Sequence, residues 1–345
     1  MSVLLVVASA SMGAVAVDDG AAHDVECEFP LTITDATGEE LTIEEPPERI
    51  VTTAPSAAQV LWEIGGEHRV VAVTTHALYL DGADERDTVS GEDGSLDVEL
   101  VIEQEADLVL APNVTGVETV EQLRDADQTV YHFPAATSLD DVFTKTELIG
   151  QLSDECEGAS ETLTWMDEER SLVQEAAEQQ DASPSVIYLF FDFTTGSGTH
   201  IHDIIVTAGA TNVAADVGLE QYQPINAETI IDADPDWILV NDKDPALPES
   251  EAFNETPAVQ ENRFIEVDVN HINQPGPWNI HALTTIAAAL YPEAYDEVTA
   301  EADDEATAHD DTDDTVADPD DPLVGFGIVA AILAIVGGLT LRRRG

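Results

Sequence analysis

Short apolar runs and amphipathic stretches follow one another along this chain in an order that occurs twice. Glu99–Ala111 (ELVIEQEADLVLA) and Glu228–Val240 (ETIIDADPDWILV) match each other. In each, a Glu opens a short helical stretch with an apolar pair, Val101 and Ile102 or Ile230 and Ile231. In each, an Asp eight residues on, Asp107 or Asp236, precedes the continuous apolar run of a buried strand. Each also has a companion upstream: Ser56–Gly65 and Thr199–Gly209 read as helices that follow a strand and stop at Gly. Paired segments in the same order predict two similar α/β lobes in series, enclosing a cleft.

Leu31–Ile43 alternates like a hairpin turning at Thr37-Gly38. Arg49–Ala54 predicts a strand broken by Pro55. Ser56, with Gln59 three residues on, has the spacing of a capping box, and its helix ends at Gly65-Gly66. Val70–Thr74 and Asp107–Ala111 predict two further strands, the last followed by the loop Pro112–Gly116. Leu139–Gln180 shows no strand pattern but has helical apolar points at Val142, Leu148, Leu152, Leu163 and Met166. It predicts one long helix over residues 139–181, bent at Gly158. That helix would join a lobe over 24–138 to a lobe over 182–299. The second lobe begins with Ser185–Phe191, passes the Gly-containing loop Thr194–Thr199 and closes with Trp278–Tyr291. Strands separated by helices make parallel sheets, and ligands bind at the carboxyl ends of such strands.

Charge changes this picture. Against 11 basic residues stand 71 acidic ones, a net charge of −60 over 345 residues. Only Lys145 and Lys243 are lysines, and three arginines close the chain at 342–344. Such a surface repels nucleic acid, so no nucleic-acid partner is expected. Molar salt, with a Debye length of roughly 3 Å, would screen the repulsion, so the composition reads as halophilic. The two cysteines, Cys27 and Cys156, form no CxxC motif. One pair in an exported chain suggests one disulfide, here joining the segment before the first strand to the bridging helix.

The ends read as export signals. Residues 1–20 read as a signal peptide: Met1–Val17 is apolar and Ala14-Val15-Ala16 resembles a cleavage site, although the first basic residue is Arg49. Residues 300–321 are an acidic run without apolar periodicity, read as a disordered spacer. Residues 323–341 are uncharged and apolar, long enough to span a bilayer, and Arg342–Arg344 follow. Positive charge stays inside, so the body would lie on the outer face, anchored to the membrane by its C-terminus. The tail resembles the PGF-type surface anchors of haloarchaeal exported proteins, with Pro322 set two residues away from Gly325-Phe326. The triplets beginning at Asn113 and Asn254 are compatible with surface glycosylation.

The run PERIVTTAPSAAQVLWEIGGEHRVVAVT, ending at Thr74, carries a resemblance. Its Thr53-Ala54-Pro55-Ser56 and Val71-Ala72-Val73-Thr74 resemble the opening of the class III substrate-binding proteins of ABC importers. VELVIEQEADLVL matches a second family segment with Ala106 in a proline's place, while the other copy keeps Pro235. The resemblance covers Leu31 to Tyr291. It implies two Rossmann-like α/β lobes joined by one long rigid helix, with the ligand cleft between them. It also implies a non-enzymatic role without a resident cofactor, in partnership with an ABC permease and ATPase. Glu99 and Glu228 occupy the positions that dock on permease arginines in that family. Their bland reading is solvated carboxylates at helix N-termini.

The same resemblance points to ligand contacts at Pro55, Ser56, His76, Tyr79, Asn113, Phe191, Asp192, Phe193, Thr194, Asn241, Lys243 and Trp278. Tyr79 aligns with an aromatic that contacts corrin in cobalamin-binding relatives. QPGPWN often reads R-x-G-P-R in the family, and here Trp278 replaces the second arginine. Arginine clamps hold anionic siderophores, so their absence favours a corrinoid such as cobalamin. A ferric siderophore or haem is the alternative. A structural surface protein without transport is the alternative of another class. His76, His132, His200, His202 and His271 make no dense zinc motif, so no metal site is expected. GxSxG and P-loop motifs are absent, so no enzyme is expected.

Overall fold

The computed structural model describes residues 23–224, 227–243, 247 and 251–313. An antiparallel hairpin, β1 (Leu31–Thr34) and β2 (Glu40–Ile43), leads into the first lobe. Its turn is fixed by the Asp35 carboxylate, which accepts from Thr37, Arg124 and the His132 amide. Burial alone would raise the Asp35 carboxyl, but these hydrogen bonds hold it below its usual value.

The first lobe is a parallel sheet of β3 (Ile50–Thr52), β4 (Val70–Val73), β5 (Asp87–Thr88), β6 (Leu108–Ala111) and β7 (Val130–His132), in the order β5-β4-β3-β6-β7. Helices α1 (Pro55–Glu63), α2 (Val98–Glu103) and α3 (Val117–Asp125) connect its strands. The chain then forms α4 (Leu139–Ser153) and α5 (Cys156–Glu178). The second lobe contains β8 (Ser185–Leu189), β9 (Phe193–Thr195), α6 (His200–Thr207), β10 (Thr211–Asn212), α7 (Val213–Asp216), β11 (Tyr222–Pro224), α8 (Ala227–Ala233) and β12 (Trp237–Asn241). It closes with α9 (Glu251–Asn254), α10 (Pro257–Gln260), β13 (Phe264–Val267), α11 (Val269–Asn273) and α12 (Asn279–Leu290). Its parallel sheet runs β10-β8-β12-β13, and β9 and β11 form a separate antiparallel ribbon.

The sequence repeat has a structural counterpart. Glu99–Ala111 becomes α2 and β6, and Glu228–Val240 becomes α8 and most of β12. Asp107 Oδ2 accepts from the Glu48 and Arg49 amides at 3.0 and 2.8 Å, clamping the entry to β3. Asp236 Oδ2 accepts from the Ser185 amide and hydroxyl at 2.8 Å each, clamping the entry to β8. In each lobe the Asp therefore ties a strand to its neighbour.

Three expectations need correction. Residues 139–181 form two helices, and only the second is the long helix that joins the lobes. The chain turns at Asp154, which adopts φ +62°, and α5 folds back against α4. Arg170 of α5 consequently reaches Asp140 and the Phe143 ring of α4. Helix α5 alone spans the lobes, over about 34 Å at 1.5 Å per residue. Gly158 is no bend: it lies within α5, where a Cβ would come within 2.0 Å of the Ile64 carbonyl. At the far end Gly209, at φ +77°, lets the second lobe approach Ala177 of α5. Ser56 is likewise no cap. Ala54 takes the N-cap position without a side-chain bond, Pro55 starts the helix, and Ser56 is buried.

The acidic stretch read as a disordered spacer begins as helix, α13 (Pro292–Asp313). Alanine and glutamate there favour helix despite the missing apolar face. The compact unit that holds both lobes ends at Thr299. The signal segment and the apolar stretch 323–341 lie outside the described residues. Among those described, no helix is long and apolar enough to cross a membrane. Cys27 and Cys156 form a disulfide that fastens the N-terminal segment to the start of α5.

One apolar core runs through both lobes between the sheets and helices α1, α4, α5, α6 and α12. Smaller clusters cover the outer face of each sheet.

Candidate functional site

The cleft opens where the carboxyl ends of the two sheets face each other. Pro55 and Ser56 bring the start of α1 to its floor, and Asn113 and Val114 form one wall. The other lobe contributes His200 at the start of α6, Tyr222 of β11 and the turn Asn273–Pro275. These residues enclose about 160 Å³. A second hollow of about 400 Å³ adjoins it on the first lobe, sharing Ala54, Pro55 and Val114. Among the described residues, no Asp, Glu, Lys or Arg lines either cavity. The rims expose apolar side chains: Val114 on one side, and Phe191, Phe193 and Tyr222 on the other. Phe190 holds the second rim together, with Phe191, Phe193 and Tyr222 all within 6.2 Å of its ring centre.

Behind the floor lies Lys145 of α4. Its Nζ donates to Ser56 Oγ at 2.8 Å and to the Pro275 carbonyl at 3.1 Å, so one buried amine joins cleft-lining residues of both lobes. Among the described residues it forms no ion pair. Burial therefore pulls its pKa down to about 7. His200 beside it is also buried, and its Nε2 donates to the Ile272 carbonyl at 3.0 Å. Burial lowers its pKa to about 4, with Lys145 adding to the effect against the opposing Ile272 bond. The imidazole is thus neutral, and Nε2 carries the proton given to Ile272.

The expected site residues divide between the cleft and its supports. Pro55, Ser56 and Asn113 line the cleft, and His76 lines the adjoining hollow. Phe191 and Asp192 are exposed at the second lobe's rim, Phe191 at φ +47°. Five residues lie elsewhere. Thr194 is fully buried and lines neither cavity. Asn241, the last residue of β12, is buried and bonded to Tyr188 of the neighbouring strand β8. Tyr79 and Trp278 pack against each other with tilted rings, 5.7 Å between centroids, in the junction between the lobes, away from both cavities. Tyr79 receives a bond from buried Gln59, and Trp278 Nε1 donates to Glu63 at 2.6 Å. Lys243 is exposed and pairs with Asp242.

The junction aromatics continue from Trp278 through His271 and His281 to Trp165, each step within 5.5 Å. Burial lowers the pKa of both histidines. No group of three or more His, Cys, Asp or Glu among the described residues is placed to hold a metal ion. Glu99 and Glu228 are exposed in the first turns of α2 and α8. Sequence reading missed Tyr222, Asn273 and Lys145. The signal for Lys145 was its rarity: it is one of only two lysines in the chain.

Two parallel-sheet lobes spanned by one helix, with a neutral cleft between them, define a bilobal binding protein. Residues 50–270 match the periplasmic binding protein family, and the chain belongs to it. A cobalamin-binding protein of Halobacterium salinarum is 38% identical over 356 residues, covering 99% of this chain and 96% of its own. The ABC transporter substrate-binding lipoprotein YvrC of Bacillus subtilis is 30% identical, covering 78% of this chain and 88% of its own. Among solved structures, the haem-binding protein RhuT of Roseiflexus shares 25% identity, with a TM-score of 0.64 over 72% of this chain and 99% of its own. The vitamin B12-binding protein BtuF of Vibrio cholerae shares the fold at 21% identity, with a TM-score of 0.61 over 71% of this chain and 97% of its own.

Proposed function

We propose that this chain binds a corrinoid such as cobalamin in the interlobe cleft and delivers it to an ABC permease and its ATPase. The observation that carries the reading is that, among the described residues, no charged side chain lines either cavity in a chain with 71 carboxylates. A corrin is a flat macrocycle edged with neutral amides, so it needs apolar rims and neutral hydrogen-bonding partners. Phe191, Phe193, Tyr222 and Val114 supply the rims. Ser56, Asn113 and Asn273 supply the partners. Haem and the anionic siderophores carry negative charge, which calls for a cation facing the ligand; a neutral ferric hydroxamate is the remaining alternative. The cleft's nearest cation, Lys145, is sealed behind Ser56 and Pro275. The relative named for cobalamin binding supports the same choice. The cleft encloses less than the roughly 300–1,000 Å³ of typical ligand sites, so the macrocycle stands edge-first in it and rests on the rims.

Glu99 and Glu228 sit exposed at equivalent places in the two lobes, which suits docking on a cationic permease surface. The body would work on the outer face of the membrane, held by its C-terminal segment, in a salt-rich medium. An absorbance titration of the full chain with cobalamin, haem and a ferric hydroxamate, in molar salt, tests the ligand. Saturable band shifts with cobalamin at the lowest concentration are expected. Saturation with haem or hydroxamate alone would reassign the ligand, and no response to any would favour a structural surface role.

A further inference from the structure

We propose that Lys145 is a positioning residue for ligand binding: it holds Ser56 as a hydrogen-bond acceptor, so that the Ser56 hydroxyl offers its own hydrogen to an acceptor oxygen of the ligand. On a corrin that oxygen is a side-chain amide carbonyl, and the inference rests on the corrinoid reading of the cleft. Ser56 is the second residue of α1 and lines the cleft. Its Oγ accepts from Lys145 Nζ at 2.8 Å, and the same amine donates to the Pro275 carbonyl at 3.1 Å. An ammonium carries donors only, so Ser56 cannot donate back to it. Among the described residues nothing else accepts the Ser56 hydrogen. A serine fixed as acceptor from behind is left with a donor to place, and an oxygen of the ligand satisfies it.

A neutral amine changes this. Its lone pair can take the Ser56 hydrogen, which leaves the cleft floor without that donor. Both forms are populated near neutral pH, because burial brings the Lys145 pKa down to about 7. The surrounding groups are otherwise engaged. His200 of α6 donates to the Ile272 carbonyl, and its pKa of about 4 keeps it neutral. On the same helix His202 lies against Asn212, and Asp203 accepts from the Leu139 amide. Glu63 of α1 accepts from Trp278, and Arg170 of α5 is held by Asp140 and Asp167. Asp141 of α4 lines a small cavity with Lys145, but its Oδ2 is taken by Thr137 and Ser138. Among the described residues none of these forms an ion pair with Lys145. The Phe133 ring, 6.0 Å from Nζ to its centre, offers no lone pair. A ligand oxygen on the Ser56 hydrogen favours the ammonium and raises its pKa. Binding therefore takes up a proton, and affinity falls as pH rises through about 7.

The test is the pH profile of affinity for cyanocobalamin, whose cobalt carries cyanide instead of a titratable water. The full chain is titrated by absorbance in molar salt at pH 5.5, 7 and 8.5. Wild type should bind about fivefold more tightly at pH 5.5 than at 8.5, the worth of one neutral hydrogen bond. Lys145→Met keeps the unbranched stem and removes the amine, so its profile should be flat. Ser56→Ala removes the hydroxyl and reads the same contact if the Met variant does not fold. Its profile should also be flat, with affinity at pH 5.5 below that of wild type. A merely structural lysine would leave the wild-type profile flat, and that result overturns the proposal while the corrinoid cleft stands. A pH dependence that survives either substitution also overturns it, because another group then titrates with binding. If wild type does not bind cyanocobalamin at any pH, the reading of the cleft fails and this inference with it.

Discussion

Replacing Lys145 with Met should make the protein more stable at neutral pH and less stable in alkali. Lys145 is buried on α4 and bonded only to neutral oxygens, at 2.8 and 3.1 Å. Its pKa falls from 10.5 to about 7 on folding because burial penalises the ammonium. At 1.36 kcal/mol per pH unit, the folded state bears about 5 kcal/mol of cost when the amine is protonated in both states, below pH 7. Between pH 7 and 10.5 only the unfolded chain holds that proton, so stability rises with pH. Above 10.5 the cost is gone. Met removes it at every pH, but forfeits two hydrogen bonds of about 1 kcal/mol each. The variant should therefore gain about 3 kcal/mol near pH 6.5 and lose about 2 kcal/mol above pH 10.5. Denaturant unfolding of both proteins at matched high salt across this range gives the difference directly, and other titrating groups cancel. A difference that stays constant from pH 7 to 10 would refute a buried, desolvated amine.

Other consequences follow from the same contacts. Cys27→Ser with Cys156→Ser opens a loop of 129 residues and should cost about 4–5 kcal/mol in the chain-entropy model, read as a lower denaturation midpoint. Asp236→Ala should cost about 1 kcal/mol, at the low end because the carboxylate is half exposed. Ser185 holds that carboxyl below its usual pKa, so its contribution is present above the ordinary carboxylate range and fades as pH falls through the lowered value; a variant with unchanged acid stability would contradict this. With 71 acidic residues, the body should melt at a lower temperature as molar salt is withdrawn, and equal melting points would remove the halophilic reading. Glu99→Lys with Glu228→Lys should abolish uptake in cells while corrinoid titration stays at wild-type affinity; normal uptake would mean that docking uses other residues.

The lobes were legible in the chain because local periodicity reports local burial. A helix followed by an Asp and an apolar strand, written twice, became α2–β6 and α8–β12, with both aspartates in the same clamping role. Pro55, Ser56 and Asn113 were legible as cleft residues for a similar reason: loops after parallel strands must gather at one edge. The disulfide partners were legible by count. The turn at Asp154 was not, since a non-glycine residue at positive φ leaves little mark on periodicity, and the packing of α5 on α4 decides it. Nor could the chain tell which aromatics face ligand and which face the junction. Tyr79 and Trp278 meet only because the lobes are set side by side on α5, and Tyr222 reaches the rim only because β11 pairs with β9. Lys145 shows the limit most clearly. Its partners lie 89 and 130 residues away in sequence, so its burial, its lowered pKa and its hold on both lobes exist only once the topology brings Ser56 and Pro275 to it.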